Sequence, residues 1–119
     1  MKDYKLLMHL VEPYEDVYLI VPSVHMDKRG SFHESYNREV YRAAGIHDTF
    51  VQDNFSISKK GVLRGMHYQW DGPLGKLITV IRGSVLDMIV DIRYGSPTYG
   101  QATSIQLSEY NKHQLWLPS

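Results

Sequence analysis

The chain has 119 residues, 43% of them hydrophobic and 22% charged, with thirteen Lys plus Arg against thirteen Asp plus Glu and no cysteine. That length fits a single domain over residues 1–119, and the mix is that of a folded globular chain rather than a disordered, collagen-like or coiled-coil one. A net charge of zero offers no electrostatic reason to gather on nucleic acid, and the lack of cysteine excludes disulfides, thiolate nucleophiles and thiolate zinc ligands while fitting a reducing cytoplasm.

Along the chain, Lys2, Asp3, Lys5, Glu12, Glu15 and Asp16 break up the first twenty residues, so no export signal is read there. Short β-branched or aromatic runs bounded by turn residues then predict strands over Val17 to Val21 and Ser31 to Tyr36, with a turn at Lys28-Arg29-Gly30. One helix is expected, capped by Asn37, running from Arg38 to Ala44 and stopped by Gly45. Further strands are predicted over Thr49 to Ser56, Val62 to Gln69, Lys76 to Arg82, Val85 to Arg93, Thr103 to Leu107 and Gln114 to Leu117. Turns at Lys59-Lys60-Gly61, Asp71-Gly72-Pro73 and Arg82-Gly83-Ser84 join them, and hairpins are expected between several neighbours. The longest apolar run, Leu86 to Ile92, is interrupted by Asp91 and is too short to span a bilayer, so no membrane segment is read. Many short strands without a repeat or linker give an all-β fold: a sandwich, barrel or jelly roll. The run Gln114 to Leu117 lies close to Ser119, where a β domain normally needs something to cover its last edge.

Chemistry concentrates in Gly61-Val62-Leu63-Arg64-Gly65-Met66-His67-Tyr68-Gln69. Strict alternation would send Arg64 and His67 to opposite faces, but Gly65 between them is where a bulge can change the facing. Lys76 follows nine positions after His67 across a turn, so a hairpin can bring ammonium and imidazole together. An imidazole, with an unperturbed pKa of about 6.5, suits a general base that removes a carbon-bound proton next to a carbonyl. A lysine at the carbonyl oxygen stabilises the enolate-like oxyanion. The same residues also fit a surface arginine, a hydrogen-bonded interior histidine and a solvated strand-end lysine.

Other positions carry equally open readings. Gln52 and Asn54 share a face with Phe50 and suit recognition of hydroxyls and carbonyls, or a wet sheet surface. Phe32, Glu34 and Tyr36, with Arg29 in the preceding turn, offer a fork for phosphate and a ring for a base. They equally fit a core Phe32 and an Arg29–Glu34 ion pair. Asp87, Asp91 and Arg93 share a parity and are read as an ion pair that fixes the sheet, or as a carboxylate orienting a histidine. The six histidines, His9, His25, His33, His47, His67 and His113, form no compact ligand cluster, and phosphate loops and nucleophile elbows are absent.

From about Val17 to Pro118 the sequence resembles the dTDP-4-dehydrorhamnose 3,5-epimerases, metal-free cupins of nucleotide-sugar metabolism. The resemblance rests on Asp27-Lys28-Arg29-Gly30-Ser31-Phe32-His33-Glu34, Phe50-Val51-Gln52-Asp53-Asn54-Phe55-Ser56, Leu63-Arg64-Gly65-Met66-His67-Tyr68-Gln69, Gly75-Lys76-Leu77, and Val90-Asp91-Ile92-Arg93 with Ser96-Pro97-Thr98-Tyr99-Gly100. A metal-binding cupin typically offers His-x-His on one strand, where this chain has His67-Tyr68-Gln69. The resemblance implies a cupin-type jelly roll, no metal and no cofactor, and a cytoplasmic isomerase acting on a nucleotide-linked 4-keto-6-deoxysugar. It makes His67 the base, Lys76 the oxyanion-stabilising cation, and Arg64, Gln52 and Asn54 contacts to the sugar nucleotide. It also implies a homodimer in which a strand region within residues 17–36, carrying Arg29, Phe32 and Glu34, crosses to the partner's nucleotide site. Family members continue past Leu115-Trp116-Leu117-Pro118 into a further histidine strand, a general-acid tyrosine and an acidic partner for the base. The expectation is therefore a jelly roll incomplete at its C-terminal end, in which Tyr68, Tyr94 or Tyr99 would have to replace the acid. Two alternatives follow: a module that binds the nucleotide sugar without converting it, and a related keto-sugar isomerase.

Overall fold

The computed structural model describes residues 6–72 and 75–119. In chain order they form β1 (Leu7–Leu10), β2 (Tyr18–Val21), β3 (Val24–Asp27), β4 (Gly30–His33), α1 (Arg38–Ala43), β5 (Lys76–Thr79), β6 (Ser84–Val90), β7 (Ala102–Ser108) and β8 (Gln114–Leu117). A four-stranded antiparallel sheet has the order β1-β2-β8-β5, while β3-β4 and β6-β7 form separate two-stranded ladders. The strand nearest the end of the sequence is thus interior to the sheet and needs no cover for an open edge.

Alternation along β8 divides the core in two. Trp116 points to the side where Ile20, Val40, Tyr41 and Ile46 are buried, with Leu77 packed against them. Leu115 points to the other side, with Tyr14, Val17 and Leu107, and with Ile78, Ile89, Ile105 and Leu117 around it. The sheet is therefore covered by α1 on one face and by the β6–β7 ladder on the other. Ile20, Leu107 and Leu115 have no exposed surface, and each full burial contributes roughly 1.5–3 kcal/mol.

The helix forms where its caps direct it. Asn37 accepts hydrogen bonds from the backbone N–H groups of Glu39 and Val40, and the chain leaves through Ala44 and Gly45, whose φ of +110° only glycine adopts readily. The buried Tyr41 hydroxyl donates to Gln114 Oε1, while Gln114 Nε2 donates to Ser35 O at 2.7 Å and Thr79 Oγ1 at 3.1 Å. Helix, loop and two sheet strands are thereby joined through one amide.

Several sequence expectations need correction. Thr49 to Ser56 and Val62 to Gln69 are not strands: residues 46–72 join no ladder among the described residues, and Val51, Phe55, Ile57 and Leu63 are exposed. Alternation shapes a segment for pairing, but a strand exists only where a neighbour completes its hydrogen bonds. Within Thr49 to Ser56, Phe50 turns inward, edge-on to Trp116 with ring centroids 5.9 Å apart. The expected hairpin between the Val62 to Gln69 segment and the Lys76 strand does not form: β5 pairs with β8, and β6 with β7. Two strands, β1 and β3, were not anticipated. The Lys59-Lys60-Gly61 turn is present, closed by Val62 N–H on Lys59 O. Of the Asp71-Gly72-Pro73 turn, Pro73 lies outside the described residues.

Candidate active site

Lys76 opens β5 opposite Leu117 of β8, on the same face as Ile78. That is the face turned toward β6–β7, and there the sheet leaves a cavity of about 490 Å³, a size that suits a small-molecule ligand. Lys76, Ile78 and Leu117 line it from the sheet, Asp87 to Arg93 from the β6 side, and Arg64 to Gln69 from the irregular segment. The two residues on which the chemical reading depends, His67 and Lys76, therefore share one cavity. Arg64 shares it as well. Gly65, between Arg64 and His67, has φ +128°, a conformation open to glycine that lets the two flanking side chains reach one space without strand alternation.

Arg64 is steadied from behind: its Nε donates to Ser58 Oγ at 2.9 Å and its Nη2 to Ile57 O at 3.5 Å. Gln69 Nε2 donates to Asp71 O at 2.8 Å. Tyr14 reaches the cavity from the loop between β1 and β2, and its hydroxyl donates to Gln101 O at 2.8 Å. Tyr68 also lines the cavity, whereas Tyr94 and Tyr99 do not.

The end of β6 is held by a dense polar cluster. Asp91, 6% exposed, accepts from Arg93 N, Nε and Nη2 at 2.9, 3.0 and 3.0 Å, and from the hydroxyls of Ser96 and Thr98. Arg93 also pairs with Asp16. The Arg93 hydrogen bonds, with help from Ser96 and Thr98, hold the Asp91 carboxyl far below the usual carboxylate range in spite of burial, and Asp91 raises Arg93 in turn. The ion pair expected of Asp91 and Arg93 is present. Asp87 stands outside it: desolvation pushes its carboxyl upward, partly opposed by the charge of Lys76.

The remaining predicted site residues lie away from the cavity lining. Gln52 Nε2 donates to Asn54 Oδ1 at 3.1 Å, and both side chains are exposed. On the β3–β4 hairpin Phe32 is 74% exposed rather than in the core. Arg29 pairs with Asp27, at 2.6 Å, rather than with Glu34. A turn places Arg29 two residues after Asp27, so the nearer carboxylate captures it, and their hydrogen bond lowers Asp27 and raises Arg29. Glu34 accepts from Asn37 Nδ2 at 3.4 Å. Among the described residues no group of three or more His, Asp or Glu could hold a metal ion, and no helix is long and apolar enough to cross a membrane. Sequence reasoning missed Tyr14, Met66, Met88 and Leu117 as lining residues and Asp16 as the second partner of Arg93, because each arrives through long-range packing with no local pattern to announce it.

The family model of dTDP-4-dehydrorhamnose 3,5-epimerase matches residues 12–119. The dTDP-4-dehydrorhamnose 3,5-epimerase of Pseudomonas aeruginosa is 50% identical over 105 residues, 87% of this chain and 58% of the relative. Among solved structures, the dTDP-6-deoxy-D-glucose-3,5-epimerase of Legionella pneumophila in complex with dTDP-4-keto-L-rhamnose superposes with a TM-score of 0.91 at 46% identity, covering 96% of this chain and 61% of that one. A 3'-monoepimerase from Streptomyces bikiniensis in complex with dTDP-quinovose gives a TM-score of 0.82 at 34% identity, covering 90% and 55%. The chain thus spans a little over half the length of the curated relatives it matches. The all-β, cupin-type jelly-roll expectation agrees with these neighbours. With its sequence motifs in order, its fold shared and almost its whole length matched, the chain belongs to the dTDP-4-dehydrorhamnose 3,5-epimerase family.

Proposed function

We propose that the protein is a 3,5-epimerase of a nucleotide-linked 4-keto-6-deoxysugar, of the type that converts dTDP-4-dehydro-6-deoxyglucose to dTDP-4-dehydrorhamnose. The observation that carries this reading is the single cavity shared by His67, Lys76 and Arg64. The 4-keto group acidifies the hydrogens at C3 and C5. His67 takes one of them as general base, the electron pair moves onto the carbonyl oxygen, and Lys76 stabilises the resulting enolate. Return of a proton to the opposite face of the same carbon inverts it without net redox change. No metal or cofactor is called for, since the ketone itself supplies the electron sink. The apolar lining from Ile78, Met88 and Leu117 suits the 6-deoxy methyl group.

In this reading Arg64 bonds the sugar nucleotide from within the cavity, and Gln52 and Asn54 contact the part of it that extends beyond the lining. The protein acts as a cytoplasmic homodimer built from one domain per chain, over residues 1–119. Part of the 17–36 region crosses to the second copy, and the crossing portion is the β3–β4 hairpin, because β2 already pairs with β1 and β8 of its own chain. Exposed Phe32 would then find a base to stack on, with Arg29 and Glu34 beside it.

Proton NMR in D2O tests the chemistry. Deuterium should enter the sugar at C3 and C5, and His67→Ala should abolish that exchange; exchange persisting in the variant rejects the assignment. A second reading is a module that binds the nucleotide sugar without turnover, since a cavity of this size can hold a ligand whether or not a proton is moved there. Titration calorimetry beside the exchange assay separates the two, since binding without exchange favours the module. A related keto-sugar isomerase, in which proton removal next to the carbonyl ends in migration of the ketone, is a further reading, and the Streptomyces 3'-monoepimerase supports inversion at C3 alone as a variant of the first. Product identification decides that point.

A further inference from the structure

Asp87 occupies a place where the fold calls for an apolar residue. On β6 it shares its face with Val85 and Ile89, and across the β6–β7 ladder it stands opposite Ile105. Ile89 and Ile105 pack into the Leu115 side of the core, so this face of the ladder looks toward the central sheet. Asp87 is nonetheless half-buried there, lining the same cavity as Lys76 and His67. Among the described residues it has no ion pair within 4 Å and no hydrogen bond, in contrast to Asp91 four residues later, which is fully engaged. The other charges of the cavity are already engaged: Arg93 by Asp16 and Asp91, Arg64 by Ser58 and Ile57. Burying a carboxylate without a bonding partner costs stability, so its position is better explained by what it does to the site than by what it does for the fold.

We propose that Asp87 is a positioning residue for Lys76, a carboxylate set just beyond contact that keeps the ammonium directed into the cavity while leaving its hydrogens free for the substrate oxyanion. A direct ion pair would neutralise the cation and turn it away from the reacting oxygen. A carboxylate at longer range biases where the flexible lysine points without occupying its donors. The opposing effects of burial and of Lys76 on the Asp87 carboxyl agree with this arrangement. The role rests on the epimerase reading given above.

Three measurements on the full chain test it. In Asp87→Asn, exchange of deuterium into the sugar should slow at least tenfold with KM unchanged within twofold, and Asp87→Glu should recover part of the rate. The melting temperature of Asp87→Asn at pH 7 should not fall. A carboxyl whose folded pKa is raised favours the folded state at low pH and opposes it once ionised, so removing the charge relieves the fold at neutral pH. The third measurement needs no turnover: the Asp87 carboxyl carbon, followed by 13C NMR, should titrate above the usual aspartate range in the parent and higher still in Lys76→Met. An Asp87→Asn variant with full exchange, or an Asp87 titration indifferent to Lys76→Met, overturns the proposal. If instead His67→Ala and Lys76→Ala both leave exchange untouched, the epimerase reading itself fails, and the titration still reports whether the two charges are coupled.

Discussion

Replacing Asp91 by Asn should be among the most damaging single changes outside the apolar core. The carboxylate accepts five hydrogen bonds, three from Arg93 and one each from Ser96 and Thr98, and its side chain is 2% exposed. An amide of the same shape turns one acceptor oxygen into an NH2 group that faces donors. It also leaves the Arg93 guanidinium without its buried counter-charge. Breaking a buried pair from one side costs about 3–5 kcal/mol. Arg93 is 39% exposed and keeps Asp16, which favours the lower end of that range, about 3 kcal/mol. At about 4 °C per kcal/mol for a chain of this length, the melting temperature should drop by about 12 °C. Asp16→Asn is the internal control: its side chain is 41% exposed, and removing such a partner costs about 1 kcal/mol or less, near 4 °C. Differential scanning calorimetry of both variants between pH 8 and pH 2 supplies the assay. Because the folded Asp91 carboxyl is held below its unfolded value of about 3.9, the stabilisation is fully present above about pH 4 and is lost as pH falls through the folded value. The gap between parent and Asp91→Asn should therefore stay level from pH 8 to 5 and narrow only below about pH 4. Equal losses in the two variants, or a gap that closes near neutrality, would refute this account of the cluster.

Two further substitutions probe how Lys76 is seated. At Gly75 an added Cβ would lie 2.8 Å from both Asp48 Oδ2 and the Trp116 ring; Gly75→Ala should cost about 1–3 kcal/mol in urea unfolding and slow exchange by moving the start of β5, whereas unchanged stability would mean that the ring yields freely. Tyr41→Phe deprives the buried Gln114 Oε1 of the Tyr41 donor and should lower stability by about 1–3 kcal/mol, with an unchanged m value showing that the fold is retained; a loss well under 1 kcal/mol would show that the amide finds another partner.

How much could be read from residues alone follows what each signal measures. The helix was legible because its signals are local: Asn37 and Gly45 set its ends without reference to the rest of the chain. Gln114 to Leu117 emerged with its observed limits, since Leu115 and Trp116 alternate cleanly between two buried sides. The segments around Gln52 and His67 show alternation too, yet no described strand adjoins them, and alternation carries no information about the neighbour. The shared cavity of His67 and Lys76 was anticipated through a hairpin that does not form; Gly65 and the β5–β8 pairing bring the two residues together by another route. Arg29 was matched to Glu34 by chemistry when proximity in a turn favoured Asp27. The special standing of Asp87 was invisible, because its parity with Asp91 and Arg93 made all three look like members of one cluster.

The interior position of β8 has a temporal consequence. The strand that presents Lys76 pairs with residues about forty positions later, Lys76 itself opposite Leu117, while β2 waits on the other flank for three of the same residues, Gln114, Leu115 and Trp116. On a ribosome, the lysine-bearing segment would emerge and remain unanchored until nearly all of the sequence described here had been synthesised. Seating of Lys76 is thereby tied to the insertion of a strand some forty residues downstream, so that a nascent chain lacking β8 would leave that lysine without its ladder.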